Sequence, residues 1–216
     1  MEERAKHTDF TDDLVESADA FSRKRLSEKR YAHTIRVADT AEYLAAVHGI
    51  DRCRTRLAAL LHDAAREIPS EEYLRLATEW DLPLGEPEQE NPKLLHGSVA
   101  AALAREELGV EDEEVLDAIR VHTVGSPGMS PLALALYVAD KIEPERDYPS
   151  VDRLRELATK DLYEAAREAL KRSRDYNEQR GRPTHPASLE TLKWLEETVH
   201  ERVDQGDGNT HEGERD

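Results

Sequence analysis

The chain has 216 residues and a net charge of −17, from 47 acidic and 30 basic side chains. Such a charge repels the phosphate backbone of nucleic acids, which proteins bind through Lys and Arg, so we exclude a nucleic-acid polymer as a partner. One cysteine excludes an internal disulfide framework. The sequence shows neither an apolar signal region at its N-terminus nor a run near the roughly 18 apolar residues of a membrane span, which predicts a cytoplasmic protein without a membrane partner.

The length fits one main domain, because a single hydrophobic core can extend over roughly 200 to 250 residues. We distinguish an N-terminal extension with one helix over 1–26, the main domain over 27–198, and an acidic tail over 199–216. Residues 1–12 are polar and predicted to be frayed. The Gly, Asp and Asn content from Asp204 onward predicts a disordered tail.

The second helix is predicted to begin after Ser27, whose hydroxyl can cap it, and to end at Gly49. Its inward face carries His33 at helical spacing from Val37. Taken alone, His33 is equally well explained as a surface histidine beside arginines. His48 is better explained by the helix dipole, which favours a cation at a C-terminus.

The third helix is predicted over 55–67 and carries an imidazole and a carboxylate, His62 and Asp63, after an apolar run. Arg66 follows His62 by about one turn, so all three can face one cavity. An apolar helix has no packing reason to contain such a pair. The pair is therefore either a satisfied polar defect or part of a site.

The Pro- and Glu-rich stretch 81–92 is predicted to be a connector or lid without regular structure. His96 opens the next helix on its apolar side and is either a core histidine or a ligand. A helix over 111–123 then directs His122 inward at its end, where site residues are common.

Asp140 follows Leu132 and Leu136 on the apolar stripe of a helix that begins at Pro131. A buried carboxylate needs a cation, because burying it unpaired is very costly. Lys141 points about 100° away around the helix, so a metal is the better predicted partner. Two amphipathic helices, the turn 181–186 and a last helix complete the predicted all-α chain.

Together, the inward-directed residues form a set that core packing does not explain. The set comprises His33, His62, Asp63, His96, His122 and Asp140, on five helices. Mixed histidine and carboxylate ligands suit iron, manganese or zinc better than magnesium or calcium, and the lack of cysteine ligands argues against a structural zinc. Six ligands exceed the need of one open site. The set therefore predicts two divalent metals, with Asp63 bridging them.

These residues resemble the motif of the HD superfamily of metal-dependent phosphohydrolases, with His96 and His122 matching its two-metal branch. More narrowly, six blocks between about residues 27 and 198 resemble the YqeK family. The blocks are Arg30–Thr34, Leu60–Asp63, Leu95–Gly97, Val121–Thr123, Val138–Pro144 and Gly181–Pro186. One departure is Arg66, at a position where many members are expected to have lysine. Arginine binds phosphate as a planar fork, whereas lysine binds it as a point charge.

The resemblance implies an all-α HD-domain helical bundle with a two-metal site in its core. It also implies a symmetrical bis(5'-nucleosyl)-tetraphosphatase that converts diadenosine tetraphosphate, a small-molecule dinucleoside polyphosphate, into two ADP. Its metals are expected to be iron, with manganese or zinc as alternatives. A homodimer is compatible with this expectation.

Our hypothesis assigns His33, His62, Asp63 and Asp140 to one metal and Asp63, His96 and His122 to the other, with a hydroxide shared between them. Asp63 and Arg66 are the predicted catalytic residues. Arg30, Arg66 and Arg146 are predicted to neutralise the polyphosphate. Thr123, Arg182, Thr184 and His185 are further candidates for substrate contact. For Arg30 and Arg146, a solvated charge explains the pattern alone equally well, and Arg36 and Lys141 receive no role.

Two other functions stay open at this point. A different HD phosphohydrolase, acting on nucleoside monophosphates or cyclic nucleotides, would keep every metal ligand and differ only in its pocket. A non-catalytic nucleotide sensor would bind without turnover.

Overall fold

The computed structural model describes the backbone of residues 2–206, and side chains from residue 13 to 202 and at 204. The described chain is all-helical, as predicted, with a short 3₁₀ helix at Pro92–Leu95. The α-helices are α1 (Glu2–Arg25), α2 (Glu28–His48), α3 (Arg52–Leu61), α4 (Ser70–Glu79), α5 (Glu86–Glu90), α6 (His96–Leu108), α7 (Glu113–Val121), α8 (Pro131–Ile142), α9 (Val151–Ala158), α10 (Leu162–Gln179) and α11 (Pro186–Gly206). No helix in this part of the chain combines the length and apolar character needed to cross a membrane.

Helix α8 lies at the centre of the fold. It packs against α2, α3, α7 and α10, and every residue from Leu132 to Ile142 is buried except Lys141. A helix that is apolar on all sides must be surrounded by other elements. The central position of α8 carries Asp140, near its C-terminal end, into the interior.

Local sequence signals set the boundaries of the helices that build the site. The hydroxyl of Ser27 accepts a hydrogen bond from the backbone N–H of Arg30 at the start of α2, and Gly49 ends α2 in the left-handed conformation with φ 68°. Asp112 caps α7 through the backbone N–H groups of Glu114 and Val115. The predicted ends of α2 are therefore confirmed.

The predicted helix over 55–67 is wrong at its C-terminal end, because α3 ends at Leu61. Tight turns follow, with hydrogen bonds from Ala64 N to Leu61 O (3.0 Å) and from Arg66 N to Asp63 O (2.7 Å). The hydroxyl of Tyr73 donates a hydrogen bond to the backbone carbonyl of Ala65, within this segment, at 2.5 Å. His62 and Asp63 therefore lie in a turn rather than inside a helix.

The stretch 81–92 was predicted to have no regular structure, and this prediction is wrong. Both α5 and the 3₁₀ helix begin within it. Pro87 and Pro92 occupy the first turns of these two helices. Proline is tolerated at that position because the N–H that it lacks would have no helical partner. The prolines mark helix starts here and do not exclude a helix.

Both ends of the chain are more helical than predicted. Residues 2–12, predicted to be frayed, belong to α1, and residues 199–206 of the predicted disordered tail belong to α11. Residues 207–216 lie outside the described residues. Helix α1 packs against α3, where the hydroxyl of Ser22 donates to the carbonyl of Leu60 at 2.6 Å. The division at residues 26 and 198 stays a prediction.

Candidate metal centre

The fold brings the six predicted ligands to one buried place. His33 lies within α2, His62 and Asp63 follow α3, His96 opens α6, His122 follows α7, and Asp140 lies on α8. All six are 8% exposed or less. The sequence therefore predicted correctly that these six side chains are buried together, although His62 and Asp63 lie in a turn and not on the helical stripe from which they were predicted.

Asp63 lies between two pairs of histidines. Its Oδ2 is 3.5 Å from His62 Nε2 and 4.0 Å from His33 Nε2. Its Oδ1 is 3.5 Å from His96 Nε2 and 3.9 Å from His122 Nε2. Each carboxylate oxygen thus faces a different pair, which is the arrangement that a bridging ligand needs.

Two groups of side chains have ligand atoms within 4.8 Å of one another, namely His33, His62 and Asp140, and His62, Asp63 and His122. Between His33 Nε2 and Asp140 Oδ1 the distance is 3.1 Å. His62 belongs to both groups, whereas our hypothesis assigned it to a single metal. The distribution of ligands between the two metals stays a prediction.

Three of the histidines have the same orientation. In each, Nδ1 lies within 2.7 Å of the carbonyl three residues earlier: His62 with Ala59, His96 with Lys93, and His122 with Ile119. A carbonyl only accepts, so Nδ1 donates, and Nε2 of the neutral ring presents its lone pair to the cluster. The carbonyls of Ala59 and Ile119 lie near helix ends, where backbone carbonyls lack helical partners. The carbonyl of Lys93 also accepts from the backbone N–H of His96.

The unsatisfied atoms of the cluster fit metal ions. His62 Nε2 is buried and has no hydrogen-bond partner among the described residues. His33 Nε2 is also without one when Nδ1 carries the proton toward Glu143, because its neighbour at 3.1 Å, Asp140 Oδ1, is then a second acceptor. Leaving such acceptors unpaired is costly, whereas a bound cation would satisfy them. The combination of imidazole and carboxylate donors suits divalent transition metals.

The charge states of the cluster also favour ligation. Burial works to raise the pKa of Asp63, but His62, His122 and His96 lower it to about 2, so the carboxylate is ionised near neutral pH. Burial lowers the pKa of His96 to about 4. It also places the pKa of His122 well below its ordinary value. Neutral imidazoles and an ionised carboxylate are the forms that bind metals.

Asp140 has a partner that the sequence interpretation did not favour, namely Lys141. Lys141 Nζ donates to Asp140 Oδ2 at 2.6 Å, and Arg146 Nη2 donates to Oδ1 at 2.7 Å. Burial works to raise the pKa of Asp140, but Lys141 holds it well below its usual range. The lysine reaches back because its stem is long and flexible. The case for a metal therefore rests on the unpaired imidazole nitrogens and not on an unpaired Asp140.

Three arginines predicted to bind polyphosphate reach the cluster. Arg30 Nη1 donates to Asp63 Oδ2 at 3.1 Å, and Arg66 Nη1 lies 3.3 Å from His96 Nδ1. The side chains of Arg30 and Arg146 are 34% and 37% exposed, so both can also reach an incoming anion. Thr123 Oγ1, a predicted substrate contact, lies 3.1 Å from His96 Nε2, within the centre itself.

The turn 181–186 contacts residues outside this centre. His185 Nε2 lies 2.9 Å from Glu88 Oε1, and Thr184 Oγ1 accepts from Asn177 Nδ2 at 3.4 Å. Arg182 is exposed. None of the contacts of Arg182, Thr184 and His185 within the described chain reaches a predicted metal ligand, so their roles stay predictions.

Sequence reasoning gave no role to Glu143. This carboxylate is 3% exposed, and its Oε1 lies 3.2 Å from His33 Nδ1. Arg36 Nε donates to Oε2 at 2.7 Å. The position of His33 in the middle of a predicted helix could have indicated such an acceptor. Backbone carbonyls there are used by the helix, so the Nδ1 of a buried histidine needs a side-chain partner from elsewhere in the chain.

Comparisons with known proteins show the family to which this chain is related. The model of the HD domain matches residues 30–145. A relative from Bacillus subtilis (strain 168), "Bis(5'-nucleosyl)-tetraphosphatase, symmetrical", is 40% identical over 180 residues, which cover 83% of this chain and 96% of that protein. A relative of the same name from Halalkalibacterium halodurans is 39% identical over 170 residues, covering 79% and 90%.

A solved structure is similar as well. The crystal structure of a predicted HD superfamily hydrolase involved in NAD metabolism, from Clostridium acetobutylicum, matches with a TM-score of 0.82 and 35% identity, covering 85% of this chain and 97% of that one. The fold and the buried cluster thus define an HD-domain protein. Within the HD-domain family, the chain belongs to the YqeK family.

Proposed function

We infer that this protein is a metal-dependent hydrolase that cleaves diadenosine tetraphosphate symmetrically into two ADP. The observation that carries the inference is Asp63, whose two oxygens face separate histidine pairs in a buried, unsatisfied cluster. The substrate is supported by relatives 36–40% identical to this chain that are named symmetrical bis(5'-nucleosyl)-tetraphosphatases. These names do not favour a nucleotidase, a cyclic-nucleotide phosphodiesterase or a sensor.

The ligands would be His33, His62, Asp63, His96, His122 and Asp140, and the cofactor two divalent transition metals, with iron first and manganese or zinc as alternatives. Such ions supply Lewis acidity and lower the pKa of water, which makes a nucleophile at neutral pH. Burial lowers the pKa of His96 and of His122, which keeps these two imidazoles neutral. It also excludes bulk water from the cluster, which strengthens electrostatic interactions there.

Symmetric cleavage requires the central P–O–P bond to be held with two phosphates on either side. The three arginines of the cluster lie on two different sides of Asp63. Arg30 contacts Asp63 and Arg146 contacts Asp140 on the side of His33, whereas Arg66 lies beside His96. Arginine binds phosphate oxygens bidentately. We therefore assign Arg30 and Arg146 to one diphosphate half and Arg66 to the other, with Asp63 between them.

The remaining parts of the proposal concern the surroundings of the enzyme. We place it in the cytoplasm, where nucleotide pools are found, without a membrane partner and with a small-molecule dinucleotide as its ligand. The net charge of −17 supports the absence of a nucleic-acid partner. A homodimer remains compatible with these proposals.

The test is incubation of the metal-loaded protein with diadenosine tetraphosphate and separation of the products by chromatography. ADP as the sole product supports the proposal, and AMP together with ATP contradicts symmetric cleavage. Binding without any product would favour the sensor. Parallel reactions with AMP and a cyclic nucleotide test the other phosphohydrolases. Asp63→Asn should abolish turnover, whereas Asp39→Asn, at an exposed aspartate paired with Arg56, should leave it unchanged.

A further inference from the structure

His33 is oriented differently from the other three histidines of the cluster. In those three, the Nδ1–H group donates a hydrogen bond to the backbone carbonyl three residues earlier, near a helix end. His33 lies within α2, Glu28–His48, where the backbone carbonyls are already used by the helix. Its Nδ1 faces Glu143 Oε1 instead, at 3.2 Å and 110 positions away in the chain.

Glu143 is held firmly in this position. It follows the last residue of α8 and is 3% exposed. Its Oε2 accepts from Arg36 Nε at 2.7 Å and from the backbone N–H of Glu145 at 2.9 Å. These two bonds fix the carboxylate plane and leave Oε1 directed at His33, with Arg146 Nε as a more distant cation at 3.8 Å.

A purely structural ion pair with Arg36 does not explain the burial of Glu143. Arg36 also pairs with Glu145, at 2.7 Å, and the Glu145 side chain is 70% exposed. An exposed carboxylate neutralises the arginine without the cost of burying a charge. The specific result of burying Glu143 is its contact with His33.

We propose that Glu143 is a positioning residue that holds His33 with Nδ1 protonated and Nε2 directed, as a strengthened donor, at the metal centre. This proposal rests on the metal centre of the proposed function. A carboxylate on the far nitrogen of a ligating histidine fixes the tautomer and raises the basicity of the ligand. Loss of the Glu143 carboxylate should therefore weaken binding of the metal that His33 would ligate, because the other three histidines keep their own carbonyl partners.

The first test measures metal retention in Glu143→Gln, which keeps the size of the side chain and removes its charge. Full-length protein loaded with Zn²⁺ is titrated with a chelator, and bound metal is counted by elemental analysis. We expect one of two metals to be released about 10- to 100-fold more easily than in the original protein, with the other unchanged. Glu145→Gln, the matched control at the other partner of Arg36, should keep both metals with their original affinities.

The second test is spectroscopic, and its deciding result comes from the original protein. In ¹⁵N-labelled, metal-free protein, long-range ¹H–¹⁵N correlations distinguish Nδ1–H from Nε2–H imidazoles. His33 is expected as Nδ1–H, and Glu143→Gln should increase the Nε2–H population. Protonation of His33 on Nε2 in the original protein would overturn the proposal, even if the variant failed to fold.

The outcomes separate this proposal from the proposed function. If Glu143→Gln retains both metals as firmly as the original protein, the role of Glu143 is wrong, whatever reaction is catalysed. If the original protein binds two metals but does not cleave diadenosine tetraphosphate, the function is wrong, and the chelator titration still decides the role of Glu143. An intact helical circular dichroism spectrum of each variant confirms that the comparison concerns folded protein.

Discussion

The Nε2 atoms of His96 and His122 lie 3.1 Å apart, although each ring donates from Nδ1 to a carbonyl and so presents a lone pair to the other. Two acceptors cannot satisfy each other. Thr123 Oγ1, at 3.1 and 3.3 Å, can donate its single proton to only one of them at a time. A cation shared by the two rings resolves this conflict.

Replacement of His96 should therefore remove one metal. In His96→Ala the second histidine pair loses a donor, while His33, His62 and Asp140 remain, so we expect the metal content to fall from two ions to one. Elemental analysis of the purified protein measures this directly. His48→Ala is a suitable control, because His48 contacts the carbonyl of Ala158 and not the cluster. An unchanged metal content in His96→Ala would remove His96 from the site.

Gly97 allows the close approach of α6 to the end of α7. A Cβ at this position would lie 2.8 Å from Arg120 O and 3.0 Å from Ile119 O, and these backbone atoms cannot move aside cheaply. We expect Gly97→Ala to lower the free energy of unfolding by about 1–3 kcal/mol, the usual cost of overpacking. The displacement should also separate His96 from His122 and weaken retention of one metal.

Thermal unfolding and elemental analysis check both effects of Gly97→Ala. Ser98→Ala, one position further along α6, provides the comparison, because it also ends in alanine but removes one heavy atom instead of adding one. If Gly97→Ala and Ser98→Ala proved equally stable and bound equal amounts of metal, the close approach of the two helices would not be what positions His96.

Arg66 should act on the substrate and not on the metals. Loss of a charge-assisted hydrogen bond costs about 1.5–3 kcal/mol, so we expect Arg66→Met to lower kcat/KM by about 10- to 100-fold. Arg66→Lys should recover most of the activity because it restores the positive charge, although not the planar fork. Steady-state kinetics and metal analysis are measured together. A loss of metal in Arg66→Met would contradict a role limited to substrate binding.

The pair of Arg54 and Asp112 should make stability depend on pH. Arg54 donates to both carboxylate oxygens of Asp112, at 2.6 and 2.7 Å, and this bonding lowers the pKa of Asp112 below 3.8. Because the folded protein binds this proton less readily than the unfolded chain, the pair stabilises the fold above about pH 4. That stabilisation is lost as the pH falls through the lowered pKa.

Asp112→Asn keeps a capping side chain and removes the charge. Its free energy of unfolding at pH 7 should be lower by about 0.2–1 kcal/mol, the range for partly exposed pairs. At about pH 2.5 the difference between the variant and the original protein should shrink. Urea titrations at both pH values provide the measurement, and an equal difference at both would show that the charge of Asp112 is not responsible.

The sequence was sufficient to predict the all-α fold and to place the six candidate ligands in one cluster. Helical spacing indicates which face of a helix is buried, and His33 and Asp140 each fell on such a face. It did not predict that α3 ends at Leu61. Beyond that residue, turns closed by bonds between residues three apart, such as Ala64 N to Leu61 O, replace the helical pattern. The spacing of apolar residues does not distinguish such turns from a continued helix.

The partners of the charged residues were also beyond the reach of sequence patterns. Lys141 bonds to Asp140 because a lysine stem can fold back along the helix, which an argument from the direction of Cβ alone overlooks. Glu143 was identified only through its contact with His33 across 110 positions. Spacing rules describe neighbours within one element, whereas these contacts depend on how separate elements pack.

The contact of His33 with Glu143 also has a consequence for the folding pathway. It closes a chain segment of 110 positions, from α2 to the end of α8. Closing a long segment costs conformational entropy before its contacts repay that cost, and distant contacts slow folding. We therefore expect this helical protein to fold more slowly than bundles built from local contacts.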